Sequence, residues 1–297
     1  MRKWEKRMLQ LAAAIGTAAY PTGMIAFHAR LISFGRKHIE YDVPDEIVDL
    51  VESELDKLDN LLLKVNTKIA VTDSLNPEWR GGFYLRHGFE LFLPIRAVAK
   101  SVSELPKMNR ISIINSAGTF SSKQKTVNTA TAAAKNIFND YLLSEAARRF
   151  IIRRELLRAN RRSFVLGPIF IWILLSSIVS LLFILMMRFG RAISYGTVAV
   201  SIPVTVFTFR QALRDFVSYS EKILDHDAYS DSSEYMEGAR EYLASSVATN
   251  LKIRQALQDW NSEFIKPNGD SVGDAWPYSK RLEELEDFDK KKKQRSK

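Results

Sequence analysis

Residues 164–187 contain no charged side chain, and this run of 24 residues constrains the fold more than any other feature of the sequence. As an α-helix the run would be about 36 Å long, enough to cross the roughly 30 Å hydrocarbon core of a bilayer with some tilt. The alternative is a buried helix of a large soluble protein, but uncharged runs of this length are rare in a chain of 297 residues. The sequence therefore predicts a transmembrane helix over 164–187.

A second uncharged run covers residues 192–209 and contains Pro203. Its helix would span about 27 Å, which suffices to cross a membrane beside a partner helix. Ser, Thr or a neighbouring helix can satisfy the backbone groups that the proline leaves without a partner. Together the two runs predict a transmembrane helical hairpin. Four residues of the second run are predicted to pack against helices of a partner: Gly196, Ser201, Pro203 and Thr205.

The charge distribution indicates where the flanks of the hairpin lie. A net charge of +9 would by itself suggest a nucleic-acid partner. Residues 1–38 and 148–163 each hold seven basic residues and one acidic residue, whereas residues 39–63 hold nine acidic residues and one basic residue. Both basic segments adjoin apolar ones, so we expect membrane lipid, and no nucleic acid, as a partner. By the positive-inside bias, both long flanks face the cytosol-like side, which is the matrix in a mitochondrion.

Residues 1–38 are basic, rich in alanine and nearly free of acid. This composition fits a mitochondrial targeting region, a first membrane span around Leu9–Phe27, or one segment that serves as both. Pro21 and Gly23 interrupt the apolar stretch and no small-residue cleavage site follows it, which disfavours a secretory signal. We expect a mitochondrial protein, and the choice between a cleaved segment and a third, N-terminal span stays open.

Residues 39–147 predict a small α+β soluble domain. A proline-led, acidic start at Pro44 predicts a helix. Short strands are predicted at Lys68–Thr72, Gly82–Ile95 and Arg110–Asn115. The predicted helix has apolar residues at helical spacing: Ile47, Leu50, Val51, Leu55 and Leu58.

The rest of the soluble sequence is predicted to be mainly helical. A Ser/Thr-rich stretch, Gly118–Thr131, predicts a mobile loop, and a helix is expected from there to Arg162, with residues 148–163 as an Arg-rich juxtamembrane helix. Residues 210–289 predict a helical C-terminal domain, and the basic tail, 290–297, is expected to be disordered and solvated. The predicted fold class is an integral membrane protein, mainly α, with a small α+β soluble domain. Three helices are predicted after the hairpin: Arg210–Asp227, Ser233–Val247 and Leu251–Phe264.

The sequence offers no candidate catalytic, metal-ligating or cofactor-binding residue. It has no cysteine, no pair of histidines at the spacing that binds zinc on a helix, and no glycine loop for a nucleotide. Asp225, Asp227 and Asp231 resemble a cation ladder, but no glycine turn or bidentate Glu completes a calcium loop, and a polar helix end explains them better. We expect a protein that is not an enzyme and has neither a cofactor nor a small-molecule substrate.

Arg153, Arg154, Glu155 and Arg158 precede the hairpin directly and form the predicted interaction site. Their order is similar to membrane-embedded zinc metallopeptidases, in which an HExxH helix precedes a hydrophobic hairpin. Both histidine positions are arginines here, and guanidinium groups cannot ligate zinc. Two interpretations remain: a degenerate or unconventional metallopeptidase-like protein of membrane quality control, or a basic helix that only flanks the membrane.

Several short blocks in a fixed order lie along nearly the whole chain. The blocks are Gly16, Pro21 and His28; the start at Pro44; Gly81-Gly82-Phe83 and the apolar stretch to Ile95; Ser144-Glu145-Ala146 to Phe150; Arg154-Glu155; Glu237-Gly238-Ala239-Arg240-Glu241-Tyr242-Leu243; Asn250-Leu251; Arg254; and Pro267-Asn268-Gly269. Taken with the hairpin, these blocks resemble the transmembrane protein 177 family of the mitochondrial inner membrane, from about residue 7 to residue 285. The acidic helix after Pro44 and the basic tail depart from the family pattern.

The resemblance implies a non-enzymatic assembly factor for cytochrome c oxidase, with several passes through the mitochondrial inner membrane. Such proteins associate with newly made oxidase subunit 2 and stabilise the inner-membrane chaperone that handles it. The resemblance transfers no catalytic residue. A third hypothesis, lipid handling or nucleoid tethering through the basic segments, predicts salt-sensitive binding to lipid or DNA.

Overall fold

A computed structural model describes residues 3–33, 38–58, 66–101, 110–115, 123–128, 137–138, 141–189, 191–257 and 261–295. Over these residues the chain is mostly helical. The helices are α1 (Lys3–Ser33), α2 (Asp45–Asp56), α3 (Glu145–Asn160), α4 (Ser163–Met186), α5 (Arg191–Ser230), α6 (Ser233–Ala256), α7 (Asn261–Phe264) and α8 (Tyr278–Arg295). The strands are β1 (Glu40–Tyr41), β2 (Thr67–Thr72), β3 (Glu78–Gly81), β4 (Phe89–Pro94), β5 (Arg110–Asn115) and β6 (Lys123–Asn128).

The chain divides into two compact units. The first unit holds residues 1–32 and 162–220, and the second holds residues 33–161 and 221–297. The predicted apolar run is confirmed as a helix, α4, and among the described residues α4 alone has the length and hydropathy to cross a membrane. Its side chains are largely exposed, for example Phe170 at 66%, so it is not the buried core helix of a soluble protein.

The second predicted span lies within α5. This helix is continuous over 40 residues with Pro203 inside it, so it does not end at residue 209 as the hairpin prediction has it. It exposes apolar side chains in the predicted segment, such as Val200 at 67% and Phe207 at 73%.

Three aromatic rings pack together inside the first unit. The ring centroids of Tyr20 in α1 and Trp172 in α4 are 5.5 Å apart, and Phe209 of α5 lies 5.2 Å from each of them. The indole nitrogen of Trp172 also donates a hydrogen bond to the carbonyl oxygen of Gly16, at 3.3 Å. Helix α1 therefore contacts both helices of the predicted hairpin.

The second unit is built on a four-stranded sheet with the order β1-β2-β4-β3. The central strands β2 and β4 are parallel, and each outer strand is antiparallel to its neighbour. Phe89, Leu91 and Leu93 of β4 are fully buried, as expected for a central strand covered by helices. Strands β5 and β6 form a separate antiparallel pair, and a bridge between Ser74 and Ser112 joins the two sheets.

Two glycines with positive φ define the turn between β3 and β4. Gly81 has φ +79° and Gly88 has φ +71°. A Cβ at Gly81 would overlap the carbonyl oxygen of Gly88, so a side chain there would force the two strands apart. The predicted strand Gly82–Ile95 is therefore wrong in its first half, which is a turn, and the strand itself covers Phe89–Pro94.

Helix α3 is the centre of the second unit and packs against α2 and α6. Its first turn is capped by Ser144, whose hydroxyl accepts a hydrogen bond from the amide of Ala147 at 3.3 Å. The predicted continuous helix from near residue 132 to Arg162 is wrong: Ile137 and Phe138 are helical, residues 141–144 are not, and the cap sets a new first turn at Glu145. The segments 129–136 and 139–140 lie outside the described residues.

Two further predictions are wrong. The predicted loop Gly118–Thr131 contains β6, which is a strand because its polar residues pair in register with β5. The tail predicted to be disordered is helical through Arg295, although Lys290–Lys293 are exposed as expected. In this helix Asp289 accepts hydrogen bonds from Arg240 and Lys293, each at 2.8 Å.

Candidate functional site

Three of the four residues predicted on the juxtamembrane helix are buried in the second unit. Arg154, Glu155 and Arg158 are 5%, 1% and 9% exposed. A basic helix that only flanks a membrane would keep its guanidinium groups in water, so that interpretation is wrong for these residues. Their charges must be compensated inside the protein.

Arg154 donates to three carboxylates at once. Its Nε lies 2.5 Å from Asp225 Oδ1, its Nη1 lies 2.6 Å from Glu155 Oε1, and its Nη2 pairs with Glu221 Oε2. Arg158, one turn later on α3, donates from Nη2 to the same Glu221 oxygen at 2.7 Å. The guanidinium groups of α3 thus meet the acidic residues of α5.

Arg281 of α8 also binds the carboxylate of Asp225. Its Nε and Nη2 lie 2.7 and 2.9 Å from the two carboxylate oxygens, the bidentate geometry that arginine favours. Three guanidinium groups therefore face three carboxylates, and three helices distant in sequence are joined. We call this set the buried charge cluster: Arg154, Glu155, Arg158, Glu221, Asp225 and Arg281.

Mutual compensation keeps the cluster ionised. Burial alone would raise the pKa of Glu221 and Asp225, but the neighbouring arginines outweigh it and hold both pKa values below the ordinary range. Burial likewise opposes the charge of Arg154, and the three carboxylates around it raise its pKa well above the usual value. Nearby, burial raises the pKa of Asp274 to about 6.

The fourth predicted residue, Arg153, lies outside the cluster. Its Nη2 donates to Asp231 at 2.5 Å, near the protein surface. Arg161 pairs in the same way with Asp227. The three aspartates that resemble a cation ladder are thus each the partner of an arginine on or just after α3.

The arrangement gives no support to the metallopeptidase-like interpretation. Glu155, which would be the general base, is held between Arg154 and Arg158, with its Oε2 3.1 Å from Arg158 Nε. Over the described ranges, no group of His, Cys, Asp and Glu side chains could hold a metal ion. What the cluster can do is fix three helices in one arrangement.

A buried arginine outside the cluster has a different environment. Arg96, 1% exposed in the turn Ile95–Ala97 after β4, donates from Nη2 to Ser246 Oγ at 3.1 Å, while its Nε and Nη1 have no hydrogen-bond partner. Its guanidinium lies over the rings of Tyr141 and Tyr242, 5.7 and 5.3 Å from their centroids. Such contacts contribute about 2 kcal/mol when desolvated, whereas burying an ion costs several kcal/mol. The aromatic rings alone therefore leave this charge undercompensated.

Arg148 adds another buried guanidinium to the same region. It is 8% exposed, and it donates from Nη2 to the carbonyl oxygen of Ala99 at 2.6 Å and from Nε to that of Leu143 at 3.1 Å. These acceptors are neutral. Within the described part of the chain, no carboxylate forms an ion pair with Arg96 or Arg148.

Asp73 organises a third polar group, at the edge of the sheet. It is fully buried, and its carboxylate accepts hydrogen bonds from His38 at 3.3 Å and from Arg110 and Ser112 at 2.7 Å each. Burial lowers the pKa of His38, but hydrogen bonds to Asp73 and Glu78 outweigh it and raise the pKa to about 9. Ser112 donates to the carboxylate and not to the imidazole, so the contact between nucleophile and base in a hydrolase triad is missing.

The four residues predicted to pack in the hairpin lie on two faces of α5. Gly196 and Pro203 are exposed, and a Cβ at Gly196 would meet no atom within 4 Å. Ser201 and Thr205 are half-buried on the face that carries Phe209, and Thr205 Oγ1 donates to the carbonyl oxygen of Ser201 at 2.7 Å. Their contact with a partner stays a prediction.

The sequence contained one signal for the carboxylates that were missed. Arg154 and Arg158 are four residues apart, and so are Glu221 and Asp225, so each pair occupies one helix face. The complementary spacing is consistent with the observed pairing. Arg281 and Arg96 carry no comparable local signal.

Over the described residues, the fold and the site thus define a mostly helical protein with one exposed apolar helix of membrane-spanning length and a second unit in which buried ion pairs join three helices. The chain belongs to the transmembrane protein 177 family, whose family model matches residues 2–297. No curated protein and no solved structure matches the chain.

Proposed function

We propose that this protein is a non-enzymatic assembly factor of the mitochondrial inner membrane. It binds newly made cytochrome c oxidase subunit 2 and stabilises the inner-membrane chaperone of that subunit. Membership of the family along the whole chain supports this role, because the resemblance to that family implies it. An exposed apolar helical surface and buried carboxylates engaged with arginines fit a binding role better than a catalytic one.

The second unit is formed by two separate parts of the chain, and this fact supports a particular arrangement of the chain in a membrane. Residues 33–161 and 221–297 form one compact unit, and ion pairs such as Arg154 with Asp225 join the two parts. Both parts therefore lie on the same side of any membrane. If α4 crosses the bilayer, the chain must cross back before residue 221, and the uncharged segment 192–209 of α5 is suited to do so. This supports a two-span hairpin with both flanks on one side of the membrane, and we propose that this side is the matrix.

The N-terminal helix fits a retained third span better than a cleaved targeting segment. Its Tyr20 and Gly16 contact Trp172 of α4, and Tyr20 also contacts Phe209 of α5. A cleaved segment would leave these aromatic contacts unmade. Intact-mass measurement of the protein purified from mitochondria tests this, since a mature chain that begins after residue 20 would contradict it.

The outward face of α5 is the proposed contact surface for the partner. Gly196, Val200, Pro203 and Phe207 recur at intervals of three or four residues and are all exposed. Gly196 lets a partner helix approach closely, because no atom of the described chain occupies the space beside it.

Affinity purification of the full-length protein from mitochondria, followed by detection of oxidase subunit 2, tests the proposed function. We expect Gly196→Leu to lower the recovery of the subunit and Gly196→Ala to lower it less. Ile202→Leu, at an exposed position about 120° around the helix, is the matched control and should leave recovery unchanged. Absence of the subunit from the wild-type preparation would refute the function, whereas equal recovery with all variants would refute only the contact face.

A further inference from the structure

We propose that Arg96 and Arg148 form a binding site for an oxyanion of the phosphate class inside the second unit. The inference is independent of the assembly role, and it starts from the two buried guanidinium groups described above. Neither forms an ion pair with a carboxylate of the described residues. Both groups are anchored to one short segment, because Arg96 belongs to the 3-10 turn Ile95–Ala97 and Arg148 donates to the carbonyl oxygen of Ala99.

The unused hydrogen-bonding groups specify the chemistry of the ligand. Arg96 has two nitrogen atoms, Nε and Nη1, without an acceptor, and the fully buried hydroxyl of Tyr141 has no partner either. The Nε and Nη1 atoms belong to one planar guanidinium and can donate together, as arginine does toward carboxylate and phosphate. A neutral ligand or a water molecule would satisfy these donors but would leave the charge uncompensated.

A phosphate group fits two guanidinium groups better than a carboxylate does. It has up to four oxygen acceptors and carries between one and two negative charges near neutral pH, which matches a site with two cations and one hydroxyl donor. The buried charge cluster is not expected to bind a phosphate group, because its three arginines already face three carboxylates.

Free phosphate and the phosphate of a lipid headgroup share this chemistry. Phosphorus analysis of the purified full-length protein after extraction with organic solvent separates the two sources. Free phosphate remains in the aqueous phase, and phospholipid moves to the organic phase. We expect about one phosphorus atom per chain above the level found for an Arg96→Met preparation purified in parallel.

Thermal unfolding of the full-length protein in neutral detergent micelles is the direct test. Inorganic phosphate is titrated against chloride at constant ionic strength. We expect the wild-type Tm to rise with the logarithm of the phosphate concentration once this exceeds the dissociation constant, and by about 5 °C at a hundredfold excess. Arg96→Met should abolish the response. Tyr141→Phe, which removes only the hydroxyl, should weaken it and keeps the test valid if the first variant does not fold.

The matched control is Arg86→Met, at an exposed arginine in the turn before β4. This variant should respond to phosphate as the wild type does. The proposal is overturned if the Tm of the wild type does not rise with phosphate and its preparation holds no bound phosphorus. It is also overturned if Arg96→Met and Tyr141→Phe retain the full response, because phosphate then acts elsewhere on the protein.

Discussion

Replacing Asp225 by asparagine should destabilise the second unit strongly, because the substitution removes one charge from the buried charge cluster and changes almost no volume. Arg154 Nε, 2.5 Å away, and the bidentate Arg281 would then face an amide. Removing one partner of a buried ion pair costs about 3–5 kcal/mol, since a buried charge is left uncompensated. For a unit of this size, that corresponds to a Tm lower by about 6–20 °C.

A double-mutant cycle separates this mechanism from a general packing defect. Arg281→Met alone should be similarly destabilising. Combined with Asp225→Asn, it leaves two guanidinium groups opposite two carboxylates, so the cluster is neutral again. We therefore expect the double variant to lose about 1–3 kcal/mol less than the sum of the two single losses. Denaturant unfolding of the full-length protein in neutral detergent, followed by far-UV circular dichroism, measures all four free energies of unfolding.

Asp231→Asn is the matched control, because Asp231 also pairs with an arginine of α3 but is exposed. Its cost should stay below about 1 kcal/mol. Additive effects of Asp225→Asn and Arg281→Met within about 0.5 kcal/mol would refute the argument from charge neutrality. So would a loss below about 1 kcal/mol for Asp225→Asn alone.

Three further predictions concern other positions of the second unit. Gly238→Ala should lower the free energy of unfolding by about 1–3 kcal/mol in denaturant titrations, because its Cβ would overlap the backbone of Ala146 where α6 crosses α3. His38, whose pKa is raised to about 9, contributes stability that is present below pH 6.5 and lost as the pH rises to 9; His38→Gln should flatten the dependence of Tm on pH in that range. Asp274, whose pKa is raised to about 6, takes up a proton on folding between pH 3.8 and 6, so stability falls as the pH rises through that window; Asp274→Asn should abolish this slope and raise the Tm at pH 7.

Features that are decided within one element could be predicted from the sequence. The helix over the uncharged run, strand β5 and the apolar face of α2 agree with the structure because each has a strong signal in its own residues: a long stretch without charge, a cluster of isoleucines, and apolar residues at helical spacing. The same local reasoning failed for β6. Its alternation of polar residues carries no burial signal, and only its pairing with β5 makes it a strand.

Three of the six residues of the buried charge cluster were singled out from the sequence. Arg154, Glu155 and Arg158 were predicted as an exposed interaction surface, because the sequence shows a basic helix beside an apolar one, and their part in an interaction stays a prediction. Their burial depends on Asp225, 71 residues from Arg154, and on Arg281, 56 residues beyond Asp225. Contacts at such separations are set by the packing of whole helices, and periodicity within one helix does not contain that information.

If the chain crosses the membrane twice as proposed, the discontinuity of the second unit would make its folding a check on membrane insertion. The core residue Phe150 and the arginines of α3 are synthesised before residues 164–209, and Asp225 and Arg281 after them. A chain that crossed the bilayer only once would separate the two halves permanently. Both halves would then expose apolar and unpaired charged surface to proteases, while a chain inserted twice would become protected once its last helix docks. The lifetime of the protein would thus depend on its topology, and chains that insert wrongly would be degraded first.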